Sequence, residues 1–210
     1  MGSGIFRRRR RRSNLIIALW LVVPVLISAA GIYAAAMEAA RYPWMHWSRS
    51  GWWLLAFFSA PALIFGLYML IRSAKFRRSM KDFLVEDKAI DRFEQEYRHG
   101  ERIRFGQVVL TDSWLFNNAL SATCLLPLQE AVWIYGTTSE QNNGRYGTVT
   151  AHCVKVHFRN GLALNVACNK FNLGQAMRAF AQRCPGAQFG YYDDREREWK
   201  EGAKQWRASL

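Results

Sequence analysis

The pattern of apolar and polar positions divides the chain near residue 72. Two long uncharged runs come first, with about 23 residues at 15–37 and about 20 at 52–71. At about 1.5 Å per residue, an α-helix of either length crosses a hydrocarbon core of about 30 Å. Both runs are apolar all round, unlike the one-sided stripe of a helix on a soluble core. The pattern predicts a two-helix transmembrane hairpin over residues 14–72.

Two alternatives to a membrane hairpin stay open. Both runs can be buried core helices of a soluble protein, although such cores rarely need uncharged runs this long. The first run, preceded by a basic segment, can also be a cleaved signal peptide. Its apolar stretch is longer than the 7–15 or so residues of a signal sequence, which favours a membrane span.

A periodic segment follows the second run. Between residues 76 and 97 apolar side chains recur at helical spacing, charged residues fill the remaining positions, and Gly100 marks a stop. This pattern predicts an amphipathic juxtamembrane helix over residues 73–100. Its apolar face has three possible partners, namely the domain that follows, the membrane surface or a second copy of the chain.

From about Ile103 the periodicity becomes strand-like, and we count six strands up to Cys168. The best local signal is the alternation in 148–158, followed by Asn160-Gly161, which predicts a two-residue type I′ turn. The polar stretch 139–147 predicts an exposed loop, and Pro127 a sheet edge or strand end. Asn172 is the predicted N-cap of a closing helix, and the charged tail 189–210 is predicted to be helical.

Four stretches carry a family resemblance: VVLTDSWLF (108–116), CLLPLQEAVWIY (124–135), VKVHFRNGLALNV (154–166) and NLGQAMRAFAQRC (172–184). Their order resembles the pleckstrin-homology-like (PH-like) domain in its bacterial membrane-anchored form. The resemblance implies a seven-stranded antiparallel barrel or bent sheet over residues 101–188, closed by a C-terminal helix. The implied fold class is an α+β membrane protein. Lipid-headgroup binding is not carried over, because the first β-hairpin lacks a basic phosphoinositide motif.

The distribution of charge predicts how the hairpin is oriented in the membrane. The net charge is +13, with basic residues concentrated beside the two runs, whereas the segment between the runs holds only Arg41 and Arg49. The positive-inside rule therefore predicts a multi-pass protein of the cytoplasmic (inner) membrane, with residues 1–13 and the C-terminus in the cytoplasm. The predicted contacts with the anionic inner leaflet are Arg7, Arg8, Arg9, Arg10, Arg11, Arg12, Arg72, Lys75, Arg77 and Arg78.

The arginine run has a second interpretation, as a nucleic-acid-binding or nuclear import segment. Its place beside an apolar run favours lipid instead, so no nucleic-acid partner is expected. Aromatic rings with one polar atom prefer the headgroup level. The predicted outer interfacial belt is Tyr42, Trp44, Trp47, Trp52 and Trp53.

Small residues at four-residue spacing, Gly31 with Ala35 and Ala62 with Gly66, predict close helix packing within the chain or against a second copy. Neither apolar run contains an ionisable residue, which argues against an autonomous transporter.

The sequence contains no recognisable catalytic constellation. The four cysteines lack zinc-site spacing, no nucleophile motif flanks them, and no glycine-rich phosphate loop is present. A pair such as His157 with Cys124 or Cys153 remains a possible activated thiolate. We expect no catalytic residues, no metal and no cofactor.

The function expected is therefore a non-enzymatic interaction or regulatory domain on a membrane anchor, bound by a protein partner or by a second copy. The alternatives are a cysteine-dependent redox sensor or enzyme, and an accessory subunit of a larger membrane complex.

Overall fold

The computed structural model describes residues 4–41, 48–83, 85–120, 122–142 and 148–209, and for some of them, 48–58 included, the backbone alone. This part of the chain contains five α-helices and two four-stranded sheets. The predicted α+β class is confirmed. In the described residues each sheet is an open row of strands, and the two are not joined into a closed barrel.

Two long helices, α1 (Ile5–Arg41) and α2 (Ser48–Asp82), lie side by side in opposite directions. The rings of Trp20 and Phe65 meet edge-on with centroids 5.0 Å apart. A Cβ on Gly66 would lie 2.8 Å from the Leu21 side chain and 3.0 Å from the Trp20 carbonyl oxygen. The small residue at position 66 therefore permits close packing within the chain.

Among the described residues, one helix is long and apolar enough to cross a membrane. This segment is Ile5–Tyr33 of α1, and only 11% of its most apolar part is buried. A helix on the core of a soluble protein would bury most of such a segment. The apolar side chains of α1 therefore face outward.

The predicted helix over residues 73–100 differs from the structure, which has two helices there. Helix α2 ends at Asp82 and α3 spans Asp87–His99. Met80 of α2 and Phe93 of α3 belong to one hydrophobic core. On a continuous helix they would lie about 20 Å apart along the axis, so the chain must turn between them to bury both.

The first sheet contains β1 (Ile103–Phe105), β2 (Val108–Leu110), β3 (Trp114–Asn117) and β4 (Cys124–Pro127), antiparallel in chain order. Pro127 is the last residue of β4, which is an edge strand of this sheet. Both parts of the prediction for Pro127 are thus confirmed, because an edge strand needs no donor at that position.

The second sheet has the order β7-β6-β5-β8. Its strands are β5 (Ala131–Asn142), β6 (Thr148–Phe158), β7 (Ala163–Cys168) and β8 (Gln188–Phe189). Strand β8 is parallel to β5 and was not predicted. The predicted loop 139–147 begins too early, because 139–142 extends β5 and pairs with β6. Its remaining residues lie outside the described part.

The turn after β6 is longer than predicted. Phe158 N–H donates to the Leu162 carbonyl at 2.8 Å, and Gly161 N–H donates to the Phe158 carbonyl at 3.0 Å. Three residues therefore form the loop, and Gly161 has a φ of +80°. The two-residue type I′ prediction was wrong. A type I turn followed by a left-handed glycine also matches the strand twist and uses the same glycine.

Helix α4 (Leu173–Arg183) packs its buried Ala176 and Phe180 into the core. Asn172 occupies the predicted N-cap position, but its side chain makes no capping hydrogen bond. Instead, the Asn172 N–H donates to Asn169 Oδ1 at 2.7 Å. The predicted helical tail is present as α5 (Asp193–Ala208).

Candidate membrane-boundary site

The outward apolar surfaces of α1 and α2 end at one level. Leu15 is 63% exposed and Ile71 is 62% exposed. Just beyond this level Arg77 Nη2 donates to Asn14 Oδ1 at 2.6 Å and bridges the two helices. Both helices therefore change from apolar to charged surface together. The exposed large apolar side chains on them are Leu15, Leu19, Trp20, Val22, Val23, Val25, Leu26, Ile27, Ile32, Tyr33, Met37, Ile64, Phe65, Leu67, Tyr68, Leu70 and Ile71.

The arginine run is helical and continuous with α1. Arg7 Nη2 lies 3.1 Å from Asp87 Oδ1 and 3.3 Å from Asp91 Oδ1, so Arg7 pairs with α3. Arg8, Arg9, Arg12 and Tyr97 line a depression of about 480 Å³. Of the other predicted contacts, Arg11, Arg72, Lys75 and Arg78 are exposed, and Arg10 and Arg77 are half-buried.

Phe6 anchors the start of α1 in the β domain, which we define as the two sheets together with α3, α4 and α5. Its side chain is fully buried, and its ring meets the Phe116 ring edge-on at 6.0 Å between centroids. Two residues before the apolar run, Ser13 Oγ donates to the Leu120 carbonyl of the β3–β4 loop. The sequence analysis missed Phe6, because one apolar residue before six arginines has no periodic signal.

A cavity of about 670 Å³ lies at the same level, between one side of α2 and parts of both sheets. Tyr68 and Ile71 line it from the apolar side, and Arg72 and Lys75 from the charged side. The opposite wall is formed by the β1–β2 turn and by strand β7, including Asn165. Arg72 Nη1 lies 3.5 Å from the Tyr68 hydroxyl.

The C-terminal end of α2, at Asp82, is held by the β6–β7 turn. Asn160 is fully buried, and its Nδ2 donates to Asp82 Oδ2 at 3.1 Å. Its Oδ1 accepts from the Leu162 N–H at 3.0 Å, and its carbonyl accepts from Arg207 of α5 at 2.6 Å. The side-chain amide and the backbone carbonyl of Asn160 thus connect α2, the second sheet and α5.

The predicted aromatic belt lies largely beyond the part of the chain that the structure describes. Tyr42, Trp44 and Trp47 are outside the described residues, and Trp52 and Trp53 are described only as backbone of α2. The small residues Gly31 and Ala35 lie on α1, where the side-chain surroundings of Ala35 are likewise not described.

His157 lies in an aromatic cluster under α5. Its ring stacks on Trp133 at 4.5 Å between centroids and meets Trp199 edge-on at 4.4 Å. Neither ring nitrogen has a hydrogen-bond partner in the described structure. The pKa of His157 is lowered to about 4, mainly by burial and also by the charge of Lys155, while Glu196 opposes the shift. Strand alternation puts His157 on the face of β6 opposite to the buried Val154 and Val156, and α5 covers that face.

The structure does not bring His157 to a thiol in a hydrogen-bonded pair. Burial raises the pKa of the thiols of Cys124, Cys168 and Cys184, to about 11 for Cys184. A raised pKa disfavours the nucleophilic thiolate. Among the described residues, no group of three or more His, Cys, Asp and Glu side chains is arranged to hold a metal ion.

The chain matches no protein-family model, no curated protein and no solved structure. The described residues combine an outward-facing apolar helix pair, basic residues where that apolar surface ends, and a β domain in contact with both helices.

Proposed function

We propose that this chain is a multi-pass protein of the cytoplasmic membrane whose helices α1 and α2 cross the bilayer as a hairpin. The level at which both helices change from apolar to charged surface carries this proposal. A soluble protein rarely exposes a contiguous apolar patch larger than a few hundred Å². The charge bias of the flanking segments supports cytoplasmic termini.

The proposed role of the β domain is to present a PH-like interaction surface at a fixed height above the inner leaflet. Seven antiparallel strands in chain order, followed by α4, support the PH-like assignment. Phe6, Ser13 and Asn160 tie the domain to both helices. The domain is therefore held against the membrane rather than tethered by a flexible linker.

The partner of this surface is proposed to be a protein or a second copy of the chain. An interaction role is favoured over cysteine chemistry because burial raises the pKa of three thiols. The test is cross-linking of the full chain in native membranes, with a photoreactive residue on an exposed β-domain position such as Tyr192, 63% exposed. One discrete adduct is expected. A cross-linking pattern identical to that of an unrelated membrane protein would contradict an interaction role.

A second candidate is an accessory subunit of a larger membrane complex. A groove of about 380 Å³ between the helices, lined by Leu19, Val23, Pro24 and Ala62, favours it, because another apolar helix fits such a surface. Replacing both spans with unrelated apolar helices separates the two candidates. The interaction-domain function survives that replacement, and an accessory-subunit function does not.

A further inference from the structure

We propose that the cavity between α2 and the β domain holds the headgroup of one anionic phospholipid of the inner leaflet. This inference rests on the proposed membrane insertion of α2. The cavity has about 670 Å³, within the range of about 300–1,000 Å³ that is usual for small-molecule sites.

The position of the cavity points to a lipid. Its upper wall contains Tyr68 and Ile71, which are exposed and belong to the apolar surface of α2. Arg72 and Lys75 lie within the next turn and line the same cavity. A phospholipid has the same order of apolar and charged groups along its length, because its acyl chains lie above its phosphate. A small polar ligand from the cytoplasm would make no favourable contact with the apolar wall.

The charge of the cavity points to an anionic headgroup. Arg72 and Lys75 are its charged lining residues among the described side chains, and no carboxylate lines it. Neither takes part in an ion pair in the described part of the chain. Two cations that line one cavity without an acidic partner repel each other, and a phosphate bound in the cavity would relieve that repulsion.

The remaining polar groups suit a phosphodiester and its glycerol. Gln107 of the β1–β2 turn and Asn165 of β7 are exposed to the cavity, and their amides can donate to phosphate or hydroxyl oxygens. Gly106, with a φ of +55°, shapes the turn beside them. The site therefore combines residues of α2 with residues of both sheets, and a bound lipid would brace the domain against the helix.

Native mass spectrometry of the full chain in detergent, supplied with phosphatidylglycerol and phosphatidylcholine, tests this assignment. The wild type is expected to retain one phosphatidylglycerol in preference to phosphatidylcholine. The double variant R72Q/K75Q is expected to lose at least about tenfold of that retention, since each cation near a lipid phosphate contributes about 1 kcal/mol. The matched control K81Q/K88Q removes two exposed lysines outside the cavity and is expected to stay within about twofold.

A second variant separates the cavity from general surface charge. Asn165→Trp fills the cavity without changing charge and is expected to lower retention as strongly as the double variant. Equal losses in R72Q/K75Q and K81Q/K88Q, or full retention in Asn165→Trp, would overturn the inference. Displacement of the lipid by millimolar inorganic phosphate would overturn it too, because the site would then be one for free anions.

Membrane insertion of the wild type is measured separately, by alkaline extraction of membranes from the same cells. If alkaline extraction leaves the wild type in the membrane while lipid retention is unselective, only the lipid inference fails. If the wild type is extracted, the membrane proposal fails as well.

Discussion

The helix pair and the β domain place their apolar side chains in opposite ways. Leu26 of α1 is 62% exposed, whereas Leu115 and Leu125 of the β domain are fully buried. The same residue type thus faces outward in one region and inward in the other. In water, only the second arrangement removes apolar surface from the solvent. Under the proposed membrane insertion, this contrast means that the two regions are adapted to different solvents, and that the chain passes from one solvent to the other at their junction.

The largest expected effect comes from truncating one apolar side chain in each region. Phe93→Ala empties a core site where its ring meets the rings of Phe116 and Tyr97. We expect it to lower the free energy of unfolding by about 3–5 kcal/mol. Leu26→Ala should change it by less than about 0.5 kcal/mol. Thermal unfolding of the full chain in detergent measures both. Equal losses in the free energy of unfolding would contradict the difference between the two regions.

The next effect is at the junction. Asn160→Ala removes the bond to Asp82 and leaves buried polar groups without a partner, which costs about 1–3 kcal/mol. Asp82→Asn keeps a hydrogen-bonding oxygen and should cost less. If Asp82→Asn destabilises the chain more than Asn160→Ala, charge rather than hydrogen bonding holds α2 to the turn.

A smaller effect is a pH dependence confined to the β domain. His157 has a pKa lowered to about 4 in the fold and near 6.5 when unfolded, so between these values the unfolded chain binds the extra proton. Stability should therefore fall as the pH drops from 7 toward 4, by up to about 2 kcal/mol at pH 5. His157→Phe should flatten the curve of melting temperature against pH. The control His99→Gln, at an exposed position, should keep the wild-type slope.

The smallest effect is that of an exposed ion pair. Arg7→Gln removes the contacts with Asp87 and Asp91, whose side chains are largely exposed, and should cost about 0.5 kcal/mol. High salt should remove the difference from the wild type. Arg11→Gln, in the same run without an ion pair in the described structure, serves as the control. A loss as large as that of Phe93→Ala would mean that charge, not Phe6, anchors the start of α1.

Local signals predicted much of the β domain. The alternation of β6, the glycine of its turn and the stripe of α4 depend on neighbouring residues, and the structure has them where the pattern placed them. The turn length was wrong because a type I turn with a left-handed glycine uses the same Asn-Gly pair. The end of β5 was placed too early because polar residues also extend an exposed strand.

The features that the sequence did not predict depend on distant contacts. Phe6 is apolar among charges and becomes a core residue only when α1 meets Phe116. The break before α3 follows from the need to bury Met80 and Phe93 together. His157 is outward by strand parity, and only the docking of α5 buries it. Of the proposed cavity, Arg72 and Lys75 were predicted as basic flanks, whereas its β wall is set by the tertiary fold.

The most direct test of the membrane hairpin is cysteine accessibility in intact bacterial cells. Met45→Cys lies between the two predicted spans, and Glu201→Cys lies on α5. A membrane-impermeant maleimide should label the first variant in intact cells and the second only after lysis. Labelling of both before lysis, or of Met45→Cys only after lysis, would contradict the proposed topology.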